Sequence, residues 1–247
     1  GVPSSTFLDD DDSAARLSPA VRHYIVQRGV DIYFKMLLVD GLMHADLHPG
    51  NIIVNVEAKR DGLPAGAAGA SIALVDWGLV ATLTTTERLH FIGLIAAIAR
   101  GDGRAAGVHL LSFSATQSCS PPRCSAAFVE AMHSMCATAC RGYRTGTKLG
   151  EVLPLALGLV RRHRVSIDAN YMTLVINAMC LEGMAAKLEP RYNVLDAARP
   201  LLSVYQRVPR PVFRLLFPAL GMYKRARDRR VTRCLVKHAT GNCARLL

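Results

Sequence analysis

The chain lacks several features that would classify it quickly. It has no uninterrupted apolar run of about 18 residues, so no membrane-spanning helix is expected. It has no C-x-x-C and no histidine at finger spacing from its cysteines, which argues against the common structural zinc modules. Its seven cysteines are odd in number and not arranged as a secreted framework, so reduced intracellular thiols are the expectation. A zinc site built from Cys119, Cys124, Cys136 and Cys140 stays open as the alternative. Aromatic residues make up only 6%, with a single Trp. The large apolar share, 51%, therefore rests on Ala, Leu and Val and leans towards helices. Neither an internal repeat nor a signal peptide is found. The chain opens at Gly1 without a Met, which suggests a fragment or a processed form, with any targeting segment upstream.

What is present fits one domain with an extension. The 247 residues carry a net charge of +11, and the excess lies largely towards the C-terminus, over Arg207–Arg214 and Lys224–Arg233. A basic tract of this kind is either a solvated face or a surface for acidic lipid headgroups or nucleic acid. The expected organisation is a linker over 1–17, a main domain over 18–208 and a basic helical extension over 209–247.

In chain order, Gly1 to Ser13 is polar, with the acidic run Asp9–Asp12, and reads as a disordered linker. Ser18-Pro19 opens a helix that Gly29 ends near Gln27. A second helix runs over Val30–Val39. Ile52–Val56 and Ile72–Val75 are β-branched and short, and predict one small hairpin around the Gly- and Ala-rich loop Glu57–Ser71. Thr84 and Glu87 form a capping box for a helix with apolar positions Leu89, Ile92, Ile95, Ala96 and Ile98 that stops at Gly101. Asp102 caps the next helix, through Leu111. Loop chemistry follows over Ser112–Arg123, and then helices over Ala126–Cys140, Leu149–Arg162, Ala169–Lys187 and Val194–Gln206. Pro209, Pro211 and Pro218 punctuate the chain before a last basic helix over Ala219–Lys237. The fold class is mainly α with one small β-hairpin.

Two motifs carry chemistry. HADLHPGN spans His44–Asn51 and places Asp46 and Asn51 five residues apart; LVDWG spans Leu74–Gly78 and ends a short strand on Asp76. Phosphoryl transfer uses a carboxylate beside the acceptor hydroxyl, with an amide oxygen and a second carboxylate to hold Mg²⁺ on the phosphates. The protein-kinase catalytic loop and D-F-G motif use this set at this spacing. A hairpin between the motifs would return Asp76 to the side of Asn51. The bland alternative is turn chemistry, since Asp, Asn and Gly all favour turns. His44 and His48 also form an H-x-x-x-H pair, without the Glu of a zinc protease; a histidine bracing the loop is the expected role.

With D-W-G-L-V over Asp76–Val80, the chain resembles the UbiB-type, aarF-domain-containing (ADCK-like) atypical kinases. LEGMAAKLEP, Leu181–Pro190, is similar to that family's third motif, and the resemblance covers roughly 18–200. It implies a protein-kinase-like C-terminal lobe of α+β type with ATP and Mg²⁺ as cofactors. Asp46 matches the catalytic aspartate, and Asn51 and Asp76 the metal ligands. His44, Asn51, Asp76 and Gly78 fall at nucleotide-site positions. The family's N-terminal lobe, with its alanine-rich loop, K-x-G-Q motif and Lys–Glu pair, has no counterpart before Ser18. Half a nucleotide cleft, active only in a longer chain, is therefore expected. The resemblance further implies a nucleotide partner and a role in ubiquinone biosynthesis or lipid metabolism, in mitochondria, membrane-associated, or on bacterial membranes; the basic C-terminal tract is what would suit an anionic lipid surface, and no nucleic acid is expected. Two other functions compete. One is a small-molecule phosphotransferase of the aminoglycoside or choline kinase kind; the other is a non-catalytic kinase-like scaffold. Trp77 is expected to pack beside the metal loop, Glu182 to be an ion-pairing core residue, and Arg161, Arg162 and Arg164 to offset a helix dipole.

Overall fold

A computed structural model describes residues 2–3, 19–56, 70–119, 122–140 and 146–239, with side chains at 2, 3, 20, 56, 70 and beyond 226 left aside. The expected linker over 4–17, the loop over 57–69 and the end of the basic extension over 240–247 lie outside the described residues. The architecture is mainly helical with short antiparallel ladders. The chain divides into two compact units, Gly1–Asp196 and Ala197–Leu247.

The first helix, α1, is Pro19–Lys35 and runs straight through Gly29. A helical Gly costs about 1 kcal/mol against Ala. Leu181 packs beside Gly29, its Cδ1 in ordinary contact at 3.6 Å with where a Cβ would lie. Tertiary packing has overridden the stop signal, and the two helices expected around Gly29 are one. A single π-helical turn, Met36–Asp40, follows, with Met36, Leu37 and Leu38 buried. Gly41 at φ 69 then turns the chain out of the helix, a conformation that costs Gly nothing.

Strand β2, Leu42–His44, follows at once, and β3, Ile52–Val56, pairs antiparallel with β4, Ala70–Leu74. This is the expected hairpin, with Ile52 opposite Leu74 and Val54 opposite Ile72. Two pairings go beyond the single hairpin. Strand β5, Val80–Thr82, pairs antiparallel with β2. The two-residue β1, Val2–Pro3, pairs with β3, so the expected disordered linker has a strand near its start.

Helix α2, Thr85–Arg100, opens on the predicted box: Glu87 N–H donates to Thr84 Oγ1 at 3.2 Å, and Thr84 N–H donates to Glu87 Oε2 at 2.6 Å. Asn170 Nδ2 donates to the other oxygen of Glu87 at 2.8 Å. From Phe91 to Ala99 every residue of α2 is buried, so this helix is apolar all round rather than amphipathic. Leu89, expected on the inner face, is half exposed. Asp102 Oδ1 accepts from Ala105 N–H at 3.0 Å and caps α3, Gly103–Leu111. Helix α4, Pro122–Ala139, starts on its proline, earlier than the Ala126 predicted, because Pro suits a first turn. Then come α5, Leu149–Arg162, and α6, Ala169–Leu188. Successive helices pack from α2 through α6, and α6 also packs against α1, α2 and β5. Phe113 stacks on Tyr171 of α6 with ring centroids 3.9 Å apart.

The chain continues through α7, Val194–Tyr205, to α8, Arg210–Ala239. Pro218, expected to punctuate the chain, lies inside α8. Pro211 falls in its first turn, where a missing N–H costs nothing.

One chemical expectation is overturned. Cys119 and Cys124 form a disulfide, with Cα atoms 5.5 Å apart. Cys136 and Cys140, one turn apart, are both buried, and a thiol–thiol hydrogen bond lowers the Cys136 thiol and raises that of Cys140. Two of the four sulfurs are thus consumed. Among the described residues no group of three or more His, Cys, Asp and Glu side chains could hold a metal ion.

Candidate functional site

Two ladders enclose the two motifs. On one side, β2 and β5 set His44 opposite Val80, and Ala45 N–H donates to the Leu79 carbonyl at 2.9 Å. On the other, the β3–β4 pairing is prolonged by Val75 N–H donating to the Asn51 carbonyl at 3.0 Å. The first joins the start of HADLHPGN to Leu79 and Val80, just after LVDWG, and the second joins its end to Val75 within LVDWG, so residues far apart in sequence lie on one short rim. Ile52, directly after Asn51, is buried and lines a small apolar cavity with Val26, Ile72, Leu181 and Leu188.

His44 is fully buried at the centre of this rim. Its Nε2–H donates to the Val75 carbonyl at 2.9 Å, and its Nδ1 accepts from Asp46 N–H at 3.2 Å. A carbonyl can only accept and a backbone N–H can only donate, so these partners assign the proton to Nε2. The ring is the brace expected of it and has both nitrogens engaged, which leaves none for an H-x-x-x-H metal site. Trp77 lies edge-on to it at 4.9 Å and donates Nε1–H to the Leu74 carbonyl at 3.1 Å, packing beside the loop as expected.

Asn51 is buried and donates Nδ2–H to the Asp46 carbonyl at 3.0 Å. That bond fixes the amide orientation and leaves Oδ1 as the end suited to a hard cation. The Asp46 carboxylate is exposed. His48 Nδ1 accepts from Gly50 N–H at 3.0 Å, so Nε2 carries the proton and faces Asp46 Oδ2 at 3.7 Å. His48, without an assigned role in the sequence, is placed to orient that carboxylate.

Asp76 is exposed and has φ 57, in the left-handed region. Outside Gly this region is visited chiefly by Asp and Asn, at a cost of about 1–3 kcal/mol. Strain of that kind at a non-glycine concentrates where position matters more than stability. Gly78 gives the carboxylate space: an added Cβ would lie 3.3 Å from Asp76 Oδ1. The backbone pairings thus place His44, Asp46, Asn51, Asp76 and Gly78 along one rim. The donor set is two exposed carboxylates and one amide oxygen, which fits Mg²⁺ and not a thiophilic metal.

Two site neighbours escaped the sequence reading, and both lie on α6. Asn177, almost fully buried, donates Nδ2–H to the His44 carbonyl at 2.6 Å. Cys180, one turn on, has its thiol raised by burial and then by the nearby charge of Asp46. The signal for Asn177 was a lone amide within an apolar helix, TLVINAMCL.

The third motif lies apart from this chemistry. Glu182, 4% exposed, accepts from Leu149 N–H at the start of α5, where the capping position Lys148 supplies no side-chain bond. It is a helix cap from a different helix rather than an ion-pairing core residue. Glu189 Oε2 accepts from His23 Nδ1 at 2.7 Å, tying α6 to α1. Burial pushes the Glu182 carboxyl up from 4.5 to about 7, Lys148 opposes this, and Glu151 adds to it. A raised carboxyl stabilises the fold fully below its unfolded value, and that stability is lost as pH rises through about 7. The loss amounts to about 3 kcal/mol at most. Glu182→Gln should therefore flatten the fall in melting temperature between acidic and mildly alkaline buffer. An unchanged slope in thermal melts would refute the assignment.

Residues 9–109 match the family model of the ABC1 atypical kinase-like domain, a stretch that holds both motifs. The chain is 27% identical to a mitochondrial ABC1 family protein of Saccharomyces cerevisiae, over 71% of this chain and 32% of that protein. It is 26% identical to a probable serine/threonine-protein kinase of Dictyostelium discoideum, over 70% of this chain and 33% of that one. It thus spans about a third of the length of these relatives. No solved structure matches it. These matches bear out the family resemblance carried by HADLHPGN and LVDWG.

Proposed function

We propose that this protein is a Mg-ATP-dependent atypical kinase or ATPase of the ABC1 type, whose phosphate-facing rim is the pair of motifs joined by the β2–β5 and β3–β4 ladders. One observation carries the reading: Asn51 donates to the Asp46 backbone with its nitrogen and so presents its oxygen, on the rim that ends in Asp76. Asp46 would orient an acceptor hydroxyl or water and take its proton, with His48 steadying the carboxylate. Asn51 Oδ1 and the Asp76 carboxylate would hold the metal. Bound Mg²⁺ neutralises the phosphate charge that develops in transfer. His44 would keep Asp46 and Val75 in register, and Gly78 would keep the space around Asp76 open. A kinase-like C-terminal lobe, mitochondrial location and a role in ubiquinone or lipid metabolism are proposed on the family resemblance.

The test is nucleotide binding by the longest available form of the protein. ATP with Mg²⁺ should raise the melting temperature, and a chelator should abolish the rise. Ligand at about a hundred times its dissociation constant adds about 2.7 kcal/mol. No stabilisation would leave the scaffold reading. Transfer of labelled phosphate to aminoglycosides or choline would move the protein to the small-molecule phosphotransferases.

A further inference from the structure

The Cys119–Cys124 bridge adds little to the fold. It spans a sequence separation of only 5, and a bridge restrains the unfolded chain less the shorter the loop it closes. The segment ahead of α4 is also pinned without it. Gln117 Nε2–H donates to the carbonyls of Leu111 and Ser166 at 2.9 and 2.8 Å, and Gln117 Oε1 accepts from Ser166 N–H at 3.0 Å. Ser118 N–H donates to Ser166 Oγ at 3.3 Å. None of these bonds involves a sulfur, so opening the bridge leaves them in place.

The two sulfurs have different surroundings. Cys119 is 1% exposed, while Cys124 is partly open to solvent. Cys124 is the third residue of α4, where the unpaired N–H groups of the first turn favour negative charge. Arg123 directly precedes it. Arg161, Arg162 and Arg164 flank His163, whose carbonyl oxygen lies 3.7 Å from Cys124 Sγ, and all four arginines are exposed. A helix start among cations is the environment that favours a reactive thiolate. The His163 carbonyl serves the reduced form. A bridged sulfur has no hydrogen to donate, so this acceptor gains its donor only when the Cys124 thiol is free. Bridged and open pairs thus fit one and the same fold.

We propose that Cys119 and Cys124 form a reversible redox pair that exchanges with low-molecular-weight thiols, Cys124 being the reacting sulfur and Cys119 its resolving partner. In the reducing direction an external thiolate attacks Cys124 Sγ, the S–S bond breaks, and Cys119 leaves as a thiolate that takes a proton from solvent. A second external thiolate then attacks the external sulfur of the mixed disulfide, forms the small disulfide and releases Cys124, which takes the second proton. The small thiols are oxidised and the protein gains the electron pair. A small disulfide as oxidant runs the same steps in reverse. The inference is independent of the kinase-like chemistry, and its test needs no nucleotide.

The whole chain is equilibrated in glutathione mixtures of varied reduced-to-oxidised ratio, quenched in acid and alkylated, and the cysteine peptides are identified by mass. The pair should pass from bridged to open across these mixtures, return when the ratio is reversed, and show a cooperative thermal melt in both forms. In the reduced wild type, a short pulse of iodoacetamide should label Cys124 faster than Cys119, Cys136 or Cys140 by about tenfold or more. Cys119→Ser should collect a glutathione adduct at Cys124, and Cys124→Ser should collect none at Cys119. A bridge that stays closed in excess reduced glutathione would overturn the proposal and make it a structural staple. Thiols that never bridge in excess oxidised glutathione would overturn it as well, as would loss of the folded state on reduction. Labelling of Cys119 ahead of Cys124 in the wild type would refute the division of roles, whether or not either variant folds.

Discussion

Asp76→Asn should remove the Mg²⁺-dependent part of nucleotide binding and leave the fold intact. The substitution keeps size and shape, and Asn tolerates φ 57 as readily as Asp does. Asp76 is exposed, so no buried partner is orphaned. What changes is the charge offered to a hard cation, for which a neutral amide is a poorer ligand than a carboxylate. Altering residues that only orient metal ligands typically costs 10–100-fold in affinity, so losing a ligand itself should cost about 100-fold or more. Asp46→Asn should behave differently. Its side chain is exposed and its backbone, not its carboxylate, is tied to His44 and Asn51. Binding should persist while turnover falls by about 10²–10⁴, the usual contribution of a positioned base. Calorimetric titration of Mg-ATP into both variants, with phosphate release measured in parallel, separates the roles. Wild-type affinity in Asp76→Asn would defeat the metal assignment, and wild-type turnover in Asp46→Asn would defeat the base.

His44→Ala is expected to be the most damaging single change to the rim. The ring is wholly buried and holds the Val75 carbonyl and the Asp46 N–H together. Truncation leaves both unpaired and opens a cavity beneath Trp77. An orphaned buried polar group costs about 1–3 kcal/mol, and the lost packing adds to it, so about 3–5 kcal/mol is expected. Asn177→Leu should do part of the same damage, about 1–3 kcal/mol, by orphaning the His44 carbonyl. The two changes should not add, since they act on one connected set of bonds. Trp77, the protein's only Trp, rests on the His44 ring and makes its fluorescence a local reporter. Urea unfolding followed at Trp77 should show both losses. A His44→Ala protein that melts with wild type would mean the ring does not brace the two motifs.

The chain's helices were largely legible because their signals are local. The Thr84–Glu87 box, the Asp102 cap and the αL glycine at 101 each act within a few residues, and each end falls where it was read. The same locality explains the misses. Gly29 reads as a stop until Leu181, 152 residues away, is packed beside it. Pro218 reads as a break, yet α8 continues through it. Cys119 and Cys124 look like ordinary thiols until the chain brings their Cα atoms within 5.5 Å.

By itself the sequence determined which groups are available: two aspartates, an asparagine and a histidine within two short motifs, and a net positive charge confined to the last fifth of the chain. Spacing and residue type are enough for that, because they state which groups exist and how far the chain lets them part. Only the tertiary structure decided how those groups are held. The β2–β5 ladder is three residues a side, too short to announce itself as strands, and its partners lie more than 35 residues apart. Asn177 and Glu182 act on residues over 30 positions away, through bonds that exist only once α6 is packed. A buried hydrogen bond belongs to the pair that makes it, and the sequence supplies the pair without saying that they meet.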